Sequence, residues 1–214
     1  MTRIYFADTE ALKNADVYKK YYNLLSKSRK AKADRYFFEK DRILSVAVGA
    51  LVDMGLRKYG LSEREMTIKT NEYGKPYFES RSDIYFNASH SENKAMVCFS
   101  DYEVGCDIEK IKTVDKALAE RFFCESEAKL ACENDMFFRL WTLKESYIKA
   151  KGKGLAIPLS SFEIVFENGK PRIKDGSEYS LYEISSFDGF KSSLCIKAPC
   201  DDVKTRLIEF TNEK

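Results

Sequence analysis

The stretch that decides the fold is Val104-Gly105-Cys106-Asp107-Ile108-Glu109, in the middle of the chain. Its apolar residues alternate with the others, which is the period-two pattern of a half-buried strand. Residues two apart in a strand point to the same face, so Asp107 and Glu109 lie roughly 7 Å apart at the backbone and can converge on one ion. Carboxylate oxygens are the ligands that Mg²⁺ prefers. The pair is therefore either a metal site or the solvated face of an amphipathic strand.

The whole chain has the composition of a soluble globular protein. It has 214 residues, of which 44% are apolar and 33% are charged, and this disfavours disorder. No apolar run is long enough to cross a bilayer, and the acid at Asp8 comes too early for a signal peptide. A net charge of only +2 gives no global field for nucleic acid. We therefore expect a cytoplasmic protein that binds neither membrane nor nucleic acid.

The chain has six cysteines and a single histidine, without a Cys-x-x-Cys spacing. This count disfavours a zinc site, and scattered cysteines in apolar contexts indicate reduced core thiols. The cysteines are Cys98, Cys106, Cys124, Cys132, Cys195 and Cys200.

Strand and helix patterns alternate around the central stretch. Residues 3–6 alternate and predict a first strand, and the apolar run 43–56 predicts a core helix. Residues 94–99 and 104–108 predict two strands joined by a hairpin turn, preceded by a small polar loop at 87–91. Both halves of the chain therefore contain strands and helices.

A basic run at 27–32 in the first half is either a solvated helix face or a phosphate-binding patch. The aromatic residues that follow it, Tyr36, Phe37 and Phe38, could interleave in a nucleic-acid site. Their helical spacing makes them core residues more readily.

Residues 137–151 form one strongly marked helix, with an unusual lysine. Lys144 falls inside the apolar arc, so it must reach an anion or extend its ammonium to solvent. Glu145 lies at the edge of the arc beside Trp141, with Lys149 one step further round. Glu145 and Lys149 could form a surface pair, but that leaves Lys144 unexplained.

Two further positions point to a ligand. Lys75 stands between Gly74 and Pro76, so a turn of restricted shape holds it. His90 follows Ser89 in the small polar loop, just before the carboxylate strand. A lone histidine is often structural, but a loop position between strands favours contact with a ligand.

Four of these motifs, taken in order, resemble those of the 4′-phosphopantetheinyl transferases of the surfactin-synthetase-activator (Sfp) type. They are Gly74–Pro76, Phe86–Ser91, Gly105–Glu109 and Trp141–Lys149, and the resemblance covers about residues 27 to 158. It implies an α+β fold of two similar lobes related by pseudo-twofold symmetry in a monomer. The N-terminal lobe would span residues 1–102 and the C-terminal lobe 103–214, with the active site between them.

The activity implied by the resemblance is transfer of the 4′-phosphopantetheine arm of coenzyme A to a serine of an apo acyl or peptidyl carrier protein. Adenosine 3′,5′-bisphosphate would be released. Asp107, Glu109 and Glu145 would be the catalytic residues and would hold Mg²⁺, and Glu145 would also help to deprotonate the serine. The residues implied to contact coenzyme A are Arg29, Lys32, Lys75, Ser89, His90, Lys144 and Lys149.

The chain departs from the family pattern at two positions. Many members carry a hydroxyl residue where this chain has Ile43, with Ser45 two residues further on, so the first-lobe contact is open. Cys106 replaces a commoner aliphatic residue of similar size.

Two other functions compete with this interpretation. A trimeric carrier-protein synthase of the same superfamily has much shorter chains, and length decides against it. A coenzyme A or nucleotide-binding module without transferase activity has no need of Asp107, Glu109 and Glu145 together.

Overall fold

The two halves of the chain repeat one order of elements in the computed structural model, which describes residues 1–174, 176–198 and 202–212. Each half has a strand, three helices, a two-stranded hairpin and two more strands. The first half comprises β1 Thr2–Asp8, α1 Ala15–Leu24, α2 Lys27–Asp34, α3 Glu39–Leu56, β2 Ile68–Thr70, β3 Pro76–Phe78, β4 Tyr85–Ser91 and β5 Lys94–Ser100. The second comprises β6 Val104–Lys110, α4 Lys116–Phe122, α5 Glu125–Leu130, α6 Asn134–Lys151, β7 Ile164–Glu167, β8 Lys170–Ile173, β9 Ser180–Glu183 and β10 Phe190–Ile196.

The strand order repeats as well: β1-β5-β4 in the first sheet and β6-β10-β9 in the second. The predicted α+β class is confirmed, and the repeated order is what two similar lobes require. A last strand, β11 at Val203–Ile208, pairs in parallel with β1 and so extends the first sheet from the far end of the chain.

Each sheet carries one 18-residue helix, α3 on the first and α6 on the second. Glycines allow the two close contacts. A Cβ on Gly55 would lie 2.0 Å from Phe99 Cε2, so α3 lies directly on β5. A Cβ on Gly105 would lie 2.2 Å from the carbonyl oxygen of Ser146 and 2.3 Å from the nitrogen of Ala150. The glycine of the central stretch therefore lets α6 lie against β6.

The opposite faces of the two sheets meet in a shared apolar cluster. Its buried members are Ile4, Phe6, Met96, Cys98, Val104, Cys106, Ile108, Leu194 and Ile196. Because side chains alternate along a strand, the neighbours of these residues face the helices instead. Asp107 and Glu109 therefore lie on the α6 side of β6, while Cys106 and Ile108 fill the core between the sheets.

Several local expectations are wrong. Residues 87–91 are not a loop, because β4 continues to Ser91. The strands β5 and β6 do not form a hairpin, since β5 pairs with β1 and β4 whereas β6 pairs with β10. Tyr36, Phe37 and Phe38 are exposed, Phe37 to 87%, because they lie in the link between α2 and α3 and not on a helix face.

The described cysteines carry free thiols, but not all are core residues. Cys98, Cys106 and Cys195 are buried, Cys124 is half-buried and Cys132 is exposed. Cys200 lies outside the described residues. Within the described ranges, no helix combines the length and apolar character needed to cross a membrane.

Candidate active site

The candidate site forms where β4 of the first lobe runs beside β6 of the second. Three hydrogen bonds join the two strands, and the residue numbers of their partners increase together along β4 and β6. The two strands therefore run in the same direction. The Cys106 amide donates to Asn87 Oδ1 (3.1 Å), the Ser89 hydroxyl to Asp107 Oδ1 (2.7 Å) and the Ser91 hydroxyl to Glu109 Oε2 (2.7 Å). Side chains of the first lobe thus hold both carboxylates of the central stretch.

Asp107 is almost fully buried, with 2% of its surface exposed. Its Oδ1 accepts the Ser89 hydroxyl and also the ammonium of Lys149, at 2.6 Å. Its Oδ2 is buried and has no hydrogen-bond partner among the described residues. A buried charged oxygen without a partner is costly. The arrangement therefore suits a bound cation at Oδ2.

Glu109 and Glu145 are half-buried beside Asp107. Burial raises the pKa of Glu145, and the negative charges of Asp107 and Glu109 raise it further against the opposing charge of Lys149. Burial also raises the pKa of Glu109, where the hydrogen bond from Ser91 opposes the shift and the charge of Asp107 adds to it. The helix glutamate and the two strand carboxylates are thus close enough to repel one another.

The three carboxylates fit a divalent cation in charge and donor chemistry, and the unpartnered Oδ2 of Asp107 supports that fit. Among the described residues, however, no three His, Cys, Asp or Glu side chains stand in position to hold a metal ion. The ammonium of Lys149 lies on Asp107 instead. That three carboxylates share one ion remains a prediction.

Lys149 lies four residues after Glu145 on α6, and 28% of its side chain is exposed. Burial lowers the pKa of Lys149, but the charge and hydrogen bond of Asp107 outweigh it and the net pKa is raised. Lys149 is therefore a cation at neutral pH, held by Asp107 and close to Ser89.

A cavity of about 440 Å³ opens on the first-lobe side of the site. Arg29, Lys32 and His90 are among its lining residues. Burial lowers the pKa of Lys32, and the charge of Arg29 lowers it further. Arg29 lies 3.9 Å from Glu63, which partly balances its charge. The cavity wall therefore offers two cationic side chains and an imidazole to an anion, alongside the carboxylates of Asp41 and Glu63. We call it the cationic cavity after Arg29 and Lys32.

Ser45 lines the same cavity, and its hydroxyl has no hydrogen-bond partner among the described residues. Ile43 belongs to the first-lobe core instead. The hydroxyl that the sequence lacks at Ile43 is therefore available from Ser45, two residues further along α3 and on the side of the helix that lines the cavity.

The structure does not bring Lys144 to the site, and its predicted contact with coenzyme A is wrong. Its side chain is 0% exposed, and its ammonium lies 2.7 Å from Glu127 Oε2. It also donates to the carbonyl oxygens of Leu159 (2.8 Å) and Phe162 (2.6 Å). These three partners use all the donors of an ammonium group. Lys144 therefore extends from the apolar arc of α6 to an anion inside the protein, the carboxylate of Glu127.

Lys75 lies apart from His90 and the cationic cavity. Its ammonium donates to the carbonyl oxygen of Ala150 at 2.6 Å, and Asn71 Nδ2 donates to that of Gly152 at 2.7 Å. Together they cap the C-terminal carbonyls of α6, which lack partners within the helix. Lys75 and His90, both implied to contact coenzyme A, therefore line different cavities; that of Lys75 has a volume of about 360 Å³.

Sequence reasoning missed two serines. The sequence patterns assign no role to Ser45 and include Ser91 only as the last residue of a motif. The spacing Ser89-x-Ser91 opposite Asp107-x-Glu109 is the signal for Ser91, since both pairs have the period of a strand.

Comparison with known proteins gives a consistent result. A family model described as the 4′-phosphopantetheinyl transferase superfamily matches residues 103–196. The chain is 32% identical over 191 residues to 4′-phosphopantetheinyl transferase Sfp of Bacillus subtilis, covering 84% of this chain and 85% of that protein. It is 36% identical over 185 residues to 4′-phosphopantetheinyl transferase gsp of Aneurinibacillus migulanus, covering 80% and 76%.

Among solved structures, the chain is similar to holo-[acyl-carrier-protein] synthase of Thermotoga maritima. The identity is 27% and the TM-score 0.38, over 44% of this chain and 62% of that chain.

Proposed function

The chain belongs to the 4′-phosphopantetheinyl transferase superfamily and is an enzyme of that class; we propose that it transfers the phosphopantetheine arm of coenzyme A to a serine of an apo carrier protein, with Mg²⁺. The observation that carries the proposal is the buried Asp107, beside Glu109, Glu145 and the cationic cavity; within the described part of the chain, its Oδ2 has no hydrogen-bond partner.

In the proposed reaction, the serine oxygen forms a bond to the phosphorus that carries the pantetheine arm. The bond from that phosphorus to the bridging oxygen of the pyrophosphate breaks. Adenosine 3′,5′-bisphosphate leaves with the bridging oxygen and its electron pair. The serine proton passes to a protein base or to water.

The cationic cavity supports binding of the nucleotide end of coenzyme A. Phosphates form strong charge-assisted hydrogen bonds with lysine, arginine and histidine. Arg29 and Lys32 on α2 and His90 on β4 provide such donors, and Ser45 on α3 adds a hydroxyl that has no partner among the described residues. The ammonium of Lys149 lies on Asp107, and its charge acts on His90 of the cavity wall, so it would meet the pyrophosphate.

Asp107, Glu109 and Glu145 would hold Mg²⁺, which when bound neutralises pyrophosphate charge and acts as a Lewis acid. The chain's own contribution to proton transfer is Glu145. Burial and the neighbouring carboxylates raise its pKa, which improves its match to proton transfer near neutral pH. Glu145 follows the buried Lys144 on α6, so the backbone that carries the Glu145 side chain is held rigidly.

The test is mass spectrometry of purified apo carrier proteins incubated with the enzyme, coenzyme A and Mg²⁺. We expect the carrier to gain the mass of one phosphopantetheine arm, and Asp107→Asn to abolish the gain. Acyl and peptidyl carriers should be tried side by side. A protein that binds coenzyme A yet leaves every carrier unmodified would refute the proposal in favour of a binding module.

A further inference from the structure

The strands β4 and β6 meet through two matched pairs of side chains. On β4, Ser89 and Ser91 are two residues apart, as are Asp107 and Glu109 on β6. Each serine hydroxyl donates to the carboxylate opposite it, and both hydrogen bonds measure 2.7 Å. The site therefore has one serine for each strand carboxylate.

We propose that Ser91 is a positioning residue that orients Glu109 for the cation of the transfer reaction, an inference that rests on the proposed function. Ser89 already belongs to the predicted site, whereas Ser91 does not. The matched geometry gives the two serines the same role toward neighbouring carboxylates.

The Ser91 hydroxyl is fixed from both sides. Its oxygen accepts the backbone N–H of Lys110 at 3.1 Å, while its proton is donated to Glu109 Oε2. A hydroxyl has one proton to donate, so the amide contact favours the rotamer in which that proton points to the glutamate. The residue is half-buried, which limits competition from water.

Without this contact, Glu109 would have several rotamers in a partly open site. A glutamate side chain loses considerable rotamer freedom when it is held in place. The hydrogen bond from Ser91 restricts that freedom. Because Ser91 is in the first lobe and Glu109 in the second, the orientation also depends on contact between the lobes.

The proposal predicts a selective defect in Ser91→Ala. The concentration of Mg²⁺ needed for half-maximal transfer should rise about 3- to 10-fold, in line with the net contribution of one typical hydrogen bond. The KM for coenzyme A should stay within about twofold, because Ser91 does not line the cationic cavity. Ser91→Thr keeps the hydroxyl and should restore most of the Mg²⁺ response.

A matched control is available in the second lobe. The Ser126 hydroxyl donates to Glu163 Oε1 at 2.6 Å, which is also a serine–glutamate contact but outside the site. Ser126→Ala should leave the Mg²⁺ dependence unchanged. Circular dichroism and thermal melting of all three variants should check that the fold is kept.

A readout independent of activity is the binding of Mn²⁺ to the free protein, followed by electron paramagnetic resonance. Ser91→Ala should bind Mn²⁺ about 3- to 10-fold more weakly than wild type, and Ser126→Ala should match wild type. Equal Mn²⁺ affinity and equal Mg²⁺ dependence in the two alanine variants would overturn the role of Ser91. A wild-type enzyme without transferase activity would instead refute the proposed function, and the Mn²⁺ comparison would still decide whether Ser91 orients Glu109.

Discussion

The ammonium of Lys149 lies 2.6 Å from Oδ1 of Asp107, on the same oxygen that accepts the hydroxyl of Ser89. This lysine supplies a positive charge beside the buried carboxylate. A metal ion would compete with Lys149 for the carboxylate of Asp107. The pyrophosphate of coenzyme A would compete with Asp107 for the ammonium of Lys149. We therefore expect metal and coenzyme A binding to respond in opposite directions to the loss of Lys149.

Lys149→Met should weaken coenzyme A binding by about 10- to 100-fold, the usual range for a charge-assisted contact. It should strengthen Mn²⁺ binding to the free protein, because a competing cation has been removed from Asp107. Isothermal titration calorimetry measures both affinities.

Lys151→Met is the matched control for Lys149→Met. Lys151 is on the same helix, but its ammonium contacts the hydroxyl and ring of Tyr147. Equal coenzyme A affinity in the two variants would contradict the phosphate contact of Lys149.

The buried pair of Lys144 and Glu127 should support stability and not ligand binding. Lys144→Met leaves the carboxylate of Glu127, which is 0% exposed, without its counter-charge. Breaking such a pair from one side typically lowers the free energy of unfolding by about 3–5 kcal/mol.

Urea denaturation should show this loss for Lys144→Met, with partial recovery in the double variant Lys144→Met/Glu127→Gln. Glutamine keeps an acceptor for the backbone N–H of Ile164, which now donates to Glu127. In the fraction that stays folded, coenzyme A affinity should equal that of wild type. A large loss of affinity without a loss of stability would restore Lys144 to the coenzyme A site.

The sequence predicted the parts of the site whose geometry is local. Period two placed Asp107 and Glu109 on one face of β6, and the helical arc placed Lys149 one turn after Glu145. Each of these relations depends only on residues close in sequence. The structure brings all four together because α6 lies directly on β6 at Gly105.

Relations that depend on distant partners could not be predicted in this way. Glu127 lies on α5, and nothing in the arc of α6 identifies it as the anion for Lys144. The prediction of a hairpin between β5 and β6 was wrong because β5 pairs with β1, near the start of the chain, and β6 pairs with β10, near its end. Lys75 was expected beside His90, but its turn reaches the end of α6.

His90 should take up a proton when coenzyme A binds. Partial burial against the cavity wall lowers the pKa of His90 below 6.5, and the charges of Lys149 and Lys32 lower it further. Asp41 and Asp107 oppose that effect. Phosphates in the cavity add negative charge, which raises the pKa again. Between the free and bound pKa values, the complex therefore holds more protons than the free enzyme.

Calorimetry at pH 6.5 in buffers of different ionisation enthalpy measures this uptake directly. Wild type should take up more protons than His90→Gln, and the difference should vanish at pH 8.5, where the histidine is neutral in both states. Identical proton uptake in wild type and variant at pH 6.5 would show that His90 does not face the phosphates.

The raised pKa of Glu145 also has a consequence for stability. Its protonated form is favoured in the folded protein, so the stabilising contribution is complete below the unfolded value near 4.5 and is lost as pH rises through the folded pKa. Glu145→Gln, which stays neutral, should therefore unfold at higher denaturant concentration than wild type at pH 7 to 8 without metal.

This difference should shrink as pH falls toward 4 and when Mg²⁺ is added to wild type, since bound ligand stabilises the folded state. Glu120→Gln, on the exposed face of α4, serves as the control. A stability difference that does not change with pH would show that ionisation of Glu145 does not destabilise the folded protein.

The same variant separates chemistry from binding. Glu145 lies at the edge of α6 with its helix anchored by buried neighbours, so Glu145→Gln should keep the fold and the cationic cavity. Coenzyme A should bind nearly as well as to wild type, because Arg29, Lys32 and His90 are unchanged.

Transfer by Glu145→Gln should fall by at least about 10²- to 10⁴-fold, the usual cost of losing a general base, with a weakened cation site adding to it. Single-turnover transfer to an apo carrier, measured by mass spectrometry at saturating coenzyme A and Mg²⁺, gives the rate of the step itself. A near wild-type rate would mean that the serine proton leaves by another route. The only role left for Glu145 would then be its electrostatic effect on Lys149.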